Sequence, residues 1–224
     1  SDWKGLSDVI ETDTEFIPLI SPEDEDRMNL EEVPDKLPIL PLRNNVLFPG
    51  VVIPITLGRD KSIKLIQDAY KGNKIIGVVS QKDSSIEEPL YADLFKIGTV
   101  AQIIRMLKMP DGSSTIIIQG KKRLKLVEEL ATDPYIVAKI EEFEEKRLKK
   151  MSKESLALFD SLKDLALNII KNSPNIPSEA AFAIKNIESP NFLVNFISSH
   201  MNAEVDEKQK MLQEPDIHLR AKLL

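Results

Sequence analysis

The side chains that could carry catalysis here are few: two histidines and no cysteine among 224 residues. Without a thiol there is no disulfide framework, no thiolate metal site and no sulfur nucleophile. His200 and His218 have no acidic or cysteine partners in a ligand pattern, so capping or surface placement explains them more simply than metal binding. A phosphate-cradling loop needs a glycine, four residues, then Gly-Lys-Ser/Thr, so that backbone amides meet phosphate and a hydroxyl meets magnesium. Gly120-Lys121 comes nearest, but Thr115 replaces the first glycine and Lys122 the hydroxyl. No G-x-S-x-G elbow occurs either. The chain therefore reads as one that binds.

Two modes of binding compete. Capture of an unfolded polypeptide needs exposed apolar groups that tolerate varied side chains, and methionine is flexible and polarizable enough to supply them. The candidates are Phe48, Pro49, Met106, Met109 and Pro110, apolar residues beside two reversals of direction, which would form one patch if both turns share a barrel end. Core packing is the competing explanation for Phe48 and Met106. Nucleic-acid binding is suggested by Lys121, Lys122, Arg123 and Lys125, whose charges could neutralise phosphates. No aromatic residue is interleaved to stack bases, and Glu128 and Glu129 weaken the field, so a solvated strand face is the simpler account.

These residues sit on a β-rich stretch followed by a helical one, an α+β arrangement. From Leu37 to Phe143 about six strands are expected with one helix near Lys61 to Tyr70, which Asp60 can cap and Gly72-Asn73 ends. Pro38 and Pro41 suit an edge or irregular strand, and Phe48-Pro49-Gly50 a reversal. Pro110-Asp111-Gly112-Ser113 joins two long strands as a hairpin. So many short strands suggest a closed or nearly closed barrel. Beyond Glu144 the period changes. Leu148, Met151, Ser155, Leu158, Phe159, Leu162, Leu165, Ala166 and Ile169 form one helical stripe, with Phe159 expected in the core. Further helices start near Pro177, at Ser189-Pro190, near Val205 and near Asp216, with Phe182, Phe192 and Phe196 among their packing groups. The last has no stop signal, as if cut from something longer.

The net charge of -6 is concentrated in residues 1–36, leaving the body near neutral. This acidic arm, with Ser21-Pro-Glu-Asp-Glu-Asp26, reads as an extended, solvated segment. No apolar run approaches the roughly 18 residues that span a bilayer, so no membrane partner is expected.

Pro41, Leu42, Arg43, Val46 and Pro49, followed by Val52, Ile53, Pro54, Gly58, Arg59, Lys61 and Ser62, resemble the opening of the amino-terminal domain of ATP-dependent Lon proteases, bacterial type. The likeness continues through Asp93-Leu94-Phe95, Gly98-Thr-Val-Ala101, Leu107 to Gly112 and Gly120 to Arg123, and covers Leu37 to Leu224. It implies a PUA-like barrel for the β-rich subdomain at 37–143; the helical pattern makes 144–224 an all-α helical-bundle subdomain, and the acidic arm at 1–36 lies outside the likeness. It also implies a non-catalytic role: recognition of unfolded or damaged protein substrates in quality control, and support of a hexamer of identical subunits in the cytoplasm. The family's ATPase and Ser-Lys peptidase follow this domain, so the chain needs no cofactor while the full-length parent would use ATP and magnesium. The alternative is a stand-alone PUA-like nucleic-acid-binding module.

Overall fold

The computed structural model describes residues 21–146, 152–172, 181 and 184–224. The first part of the arm, Leu148, Met151, the helix expected near Pro177 and Phe182 lie outside them. Six strands form the β part: β1 Lys36–Leu42, β2 Val52–Leu57, β3 Ile75–Ser80, β4 Ile97–Lys108, β5 Ser114–Ala131 and β6 Val137–Glu142. Their order is β2-β5-β4-β3-β1-β6, and β6 also pairs with β5, which closes the sheet into a ring. The 18 residues of β5 make this possible. Its first part pairs with β2 (Leu57 opposite Ser114, Val52 opposite Gln119), its last part with β6 (Leu124 opposite Glu142). The ring comprises β5, β4, β3, β1 and β6, and β2, paired with β5 alone, keeps the one free strand edge among the named strands, interrupted by Pro54. Of the two readings its prolines allowed, edge or irregular strand, β1 is not an edge: β3 and β6 flank it, each along only part of its length. The prolines are tolerated because pairing with β6 ends at Pro38, leaving Pro41 no donor to supply on that side.

The helices are α1 Pro22–Leu30, α2 Asp60–Lys71, α3 Lys153–Asn172, α4 Pro190–His200, α5 Val205–Gln213 and α6 Ile217–Leu223. The arm is thus not wholly extended. Ser21 accepts a hydrogen bond from the Asp24 amide at 3.1 Å, and Glu23, Asp24 and Glu25 stand in the first turn, where carboxylates favour the positive end of a helix. At α2, Asp60 is the first helical residue and not the cap. Arg59 takes the cap position without a side-chain bond, because a guanidinium has no acceptor to offer the helix amides; it donates instead to Gln81 Oε1 at 2.6 Å. Ser189 caps α4 through the Phe192 amide, with Pro190 in the first turn; Asp216 caps α6 through the His218 and Leu219 amides.

Alternate residues of the strands serve two apolar clusters. Leu37, Ile39, Val79, Leu124, Leu126 and Ile140 form the smaller. Leu40, Leu42, Ile76 and Val78, turned the other way, join Leu65 and Ile66 of α2 and the helical residues Leu162, Ala166, Phe192, Leu193, Ile197 and Ile217 in the larger. This cluster runs across residue 143, so that position marks a change of element type without a break in the core.

Phe159 departs from expectation. It is only half-buried, with the Lys163 ammonium 4.9 Å from its ring centroid, while α3 buries Leu162, Ala166 and Ile170. Phe159→Ala is expected to cost about 1–2 kcal/mol, below the 3–5 kcal/mol typical of a fully buried phenylalanine. Urea denaturation checks this.

His200 ends α4 stacked on Phe196 at 4.3 Å, with Nδ1 2.9 Å from the Phe196 carbonyl oxygen. The residue keeps an exposed side, and desolvation of the ring on its packed side, against Phe196, pushes its pKa below the usual 6.5. The unfolded chain therefore takes up a proton first as pH falls, and stability present above about pH 6.5 declines through the folded-state pKa. Melting temperatures between pH 7.5 and 5 should show a decline that His200→Phe reduces; equal slopes would contradict it.

Candidate functional site

The two turns singled out from sequence sit at opposite ends of the β2–β5 ladder. Phe48-Pro49-Gly50 lies beside Gly120: the Gly50 amide donates to the Gly120 carbonyl, and the Gly120 amide to Val51, each at 2.9 Å. The β4–β5 hairpin lies beyond Ser114, next to Leu57. Six residues of strand, about 20 Å, separate them, so they make no single patch. Phe48 is fully buried, so its side chain offers nothing to a partner. Proline at the second turn position and glycine at φ 79° at the third fold the chain back there, with the Val51 amide donating to the Phe48 carbonyl at 3.2 Å. Pro49 is buried with it. Met106 is half-buried against the larger core; Met109 is half-buried and Pro110 exposed at the hairpin tip.

The basic run offers no open cationic stripe either. Lys122 pairs with Glu142 at 3.2 Å, Lys125 with Glu141 at 3.5 Å and Lys121 with Glu31 at 3.7 Å. Arg123 turns inward and is 2% exposed. It donates from Nη1 to the carbonyls of Leu212 (2.9 Å) and Glu214 (3.0 Å), and from Nη2 to that of Glu144 (3.1 Å), with the Phe143 ring 4.8 Å away. Burial lowers its pKa to about 10, Glu145 pulling against that shift and Arg220 adding to it. Arg220 is fully buried. Its two terminal nitrogens grip Asn195 Oδ1 (2.8 and 3.1 Å) and Glu145 Oε1 (3.2 and 3.1 Å). Desolvation lowers its pKa against the opposing pull of Glu145 and Glu214.

Beside this arginine pair lies a cleft of about 530 Å³ between the β part and the helices. Its apolar lining is Met28 and Leu30 of α1, Pro49, Phe143 and Phe192, of which Leu30 is exposed, Phe143 half-buried and the other three buried while α1 is in place; Lys121, Lys122, Asn191 and several glutamates make it polar elsewhere. Such a lining can hold one or two apolar side chains of a segment whose backbone and charges stay at the rim. A second groove, about 610 Å³, runs between the ends of β1 and β2 and the start of α2. Pro41 and Pro54 line it and remove amide donors, so it is a poor edge for an added strand. Among the described residues no group of His, Cys, Asp or Glu could hold a metal ion, and no helix is long and apolar enough to cross a membrane.

Sequence reasoning missed the cleft and its arginine pair. One signal was available: Arg220 shares a helix face with Ile217 and Ala221, both buried, so a charge on an apolar face marked a buried polar cluster.

Residues 36–224 match the family model of the ATP-dependent protease La (LON) substrate-binding domain. The chain belongs to this Lon family. It is 59% identical over 211 residues to a Lon protease of Flavobacterium johnsoniae, covering 94% of the chain and 26% of the relative. It is 51% identical over 207 residues to that of Cytophaga hutchinsonii, covering 92% and 26%. The chain thus spans about a quarter of the length of the curated Lon relatives it matches. Its fold resembles the N-terminal domain of Mycobacterium avium complex Lon protease (TM-score 0.66, 18% identity, covering 84% of this chain and 95% of that one). The Lon N-terminal domain protein from Xanthomonas campestris is similar at TM-score 0.61, with the same identity and coverage. The α+β barrel-and-helix architecture is therefore that of Lon N-terminal domains. The match is to the substrate-binding domain of the protease, and the catalytic regions do not lie within these 224 residues.

Proposed function

We propose that this chain captures unfolded or damaged protein for a cytoplasmic ATP-dependent Lon protease and, with its copies, supports a hexamer. In that parent, ATP, magnesium and a Ser-Lys peptidase act downstream of the capture step. The observation that carries this reading is the substrate-binding family match across residues 36–224. The junction cleft, through Pro49, Phe143 and Phe192 on the walls opposite α1 and through its polar rim, supplies the principal surface; the hairpin tip at Met109 and Pro110 supplies an outlying contact. Nucleic-acid binding is disfavoured because the lysines of the basic run are paired and Arg123 is buried.

Labelled carboxymethylated α-lactalbumin, which is permanently unfolded, should bind the chain with a rise in fluorescence anisotropy that native lactalbumin does not compete away. No rise at any protein concentration reached would remove the capture role. Met109→Ala should weaken binding about fivefold, matching the roughly 1 kcal/mol of apolar area it withdraws, without altering the fold. Because apolar area dominates, raising the salt should change the affinity little. A strong salt dependence together with a shift of labelled DNA or RNA would instead favour the nucleic-acid module.

A further inference from the structure

Helix α1 forms one wall of the junction cleft, and among the described residues its apolar anchoring there is slight. Met28 is its one buried side chain and belongs to neither apolar cluster. Leu30, at its end, is 82% exposed, and Asn29 buries an amide nitrogen that finds no acceptor among the described residues. The ion pair between Glu31 and Lys121 is loose at 3.7 Å, and the helix lies against β5 close to it. The opposite wall is rigid by contrast. Phe192 belongs to the larger core, and Phe143 lies under the Arg123 guanidinium, which three carbonyls hold in place.

We propose that α1 is an exchangeable occupant of the junction cleft, seated where a substrate segment of like chemistry binds. That chemistry is a short stretch with an unbranched apolar side chain for the place of Met28 and a carboxylate three residues further on for Lys121. The proposal rests on the capture reading above and adds how capture is held in check. A cleft covered 90–99% of the time binds an incoming segment about 10–100 times more weakly than an open one, so α1 sets a threshold for what is captured. A segment with one weak contact fails to displace α1. Unfolded protein, offering many such segments along one chain, succeeds.

The test uses the full chain and its Met28→Asp variant, whose new carboxylate would face Glu142, Glu144 and Glu145 in the cleft. Because Met28 lies outside both cores, circular dichroism and melting temperature should stay close to those of the parent. Glu31→Lys, at an exposed position, is a milder second variant. Two probes are compared: a labelled peptide with the sequence of residues 21–31, and labelled carboxymethylated α-lactalbumin. Met28→Asp should bind both about tenfold or more tightly than the parent, Glu31→Lys should shift the same way by less, and hydrogen exchange of the α1 amides should accelerate in both variants. Equal affinity of parent and variants for the peptide would overturn the proposal, since α1 would then not occupy the peptide's place. Equal affinity for lactalbumin, with the peptide result as expected, would overturn the claim that substrate uses the cleft. If no form binds lactalbumin, the capture reading falls, while the peptide still decides whether α1 exchanges.

Discussion

Phe48→Ala should lower stability by about 3–5 kcal/mol, the range for truncating a fully buried phenylalanine. The side chain is 0% exposed. The turn that carries it is bonded on both sides of Gly120, and a side chain at Gly120 would collide with the Phe48 carbonyl oxygen, so backbone and strand already touch. Such a site collapses poorly, which puts the expected loss toward the upper end. Urea denaturation measures it, and a loss under about 1 kcal/mol would mean that the ring contributes little to the core. Any fall in substrate binding by this variant reports unfolding, in contrast to Met109→Ala at the half-exposed hairpin.

Arg123→Met should cost about 3–5 kcal/mol as well, by a different route. Methionine keeps most of the apolar stem but is shorter by the guanidinium carbon and its two terminal nitrogens, so the stem stays packed while the place beside Phe143 empties. What disappears is a guanidinium whose removal leaves the buried carbonyl of Leu212, and the part-buried ones of Glu214 and Glu144, without that donor. Glu145, which offsets the desolvation of Arg123, retains Arg220 as its partner, and this moderates the loss. The damage should concentrate at the seam: hydrogen exchange in α5 and α6 should rise well before exchange in β3 and β4 does. Unchanged protection of α5 and α6, with a stability loss below about 1 kcal/mol, would show that those carbonyls find other donors.

The elements were legible in the sequence wherever local chemistry decides. Ser189-Pro190 announced α4, Asp216 the cap of α6, Gly72 the end of α2, and the spacing of proline and glycine the turn at Phe48. Positions decided by distant partners were not. Asp60 looked like a cap, but the helix starts one residue earlier than that role requires, with Arg59 at the cap position and held to Gln81 of the distant β3 end. Phe48 looked available because it flanks a turn, but the turn is folded inward onto Gly120. Lys121 to Lys125 looked like an open cationic strip because the carboxylates that pair with them come from α1 and β6. The cleft itself is made by α1, a turn, two strands and α4, and no local pattern encodes such a meeting.

The reach of Arg123 also bears on how the chain is made. Its acceptors at Leu212 and Glu214 lie 89 and 91 residues further along. During synthesis from the amino terminus, β5 leaves the ribosome several seconds before those carbonyls exist, at about 5–20 residues per second. For that interval the nascent barrel carries a guanidinium with no settled place, and its seam surface faces water and passing chains. An internal latch in the finished molecule is thus an open vulnerability in the half-made one, and slowed translation between β6 and α5 would lengthen the exposure.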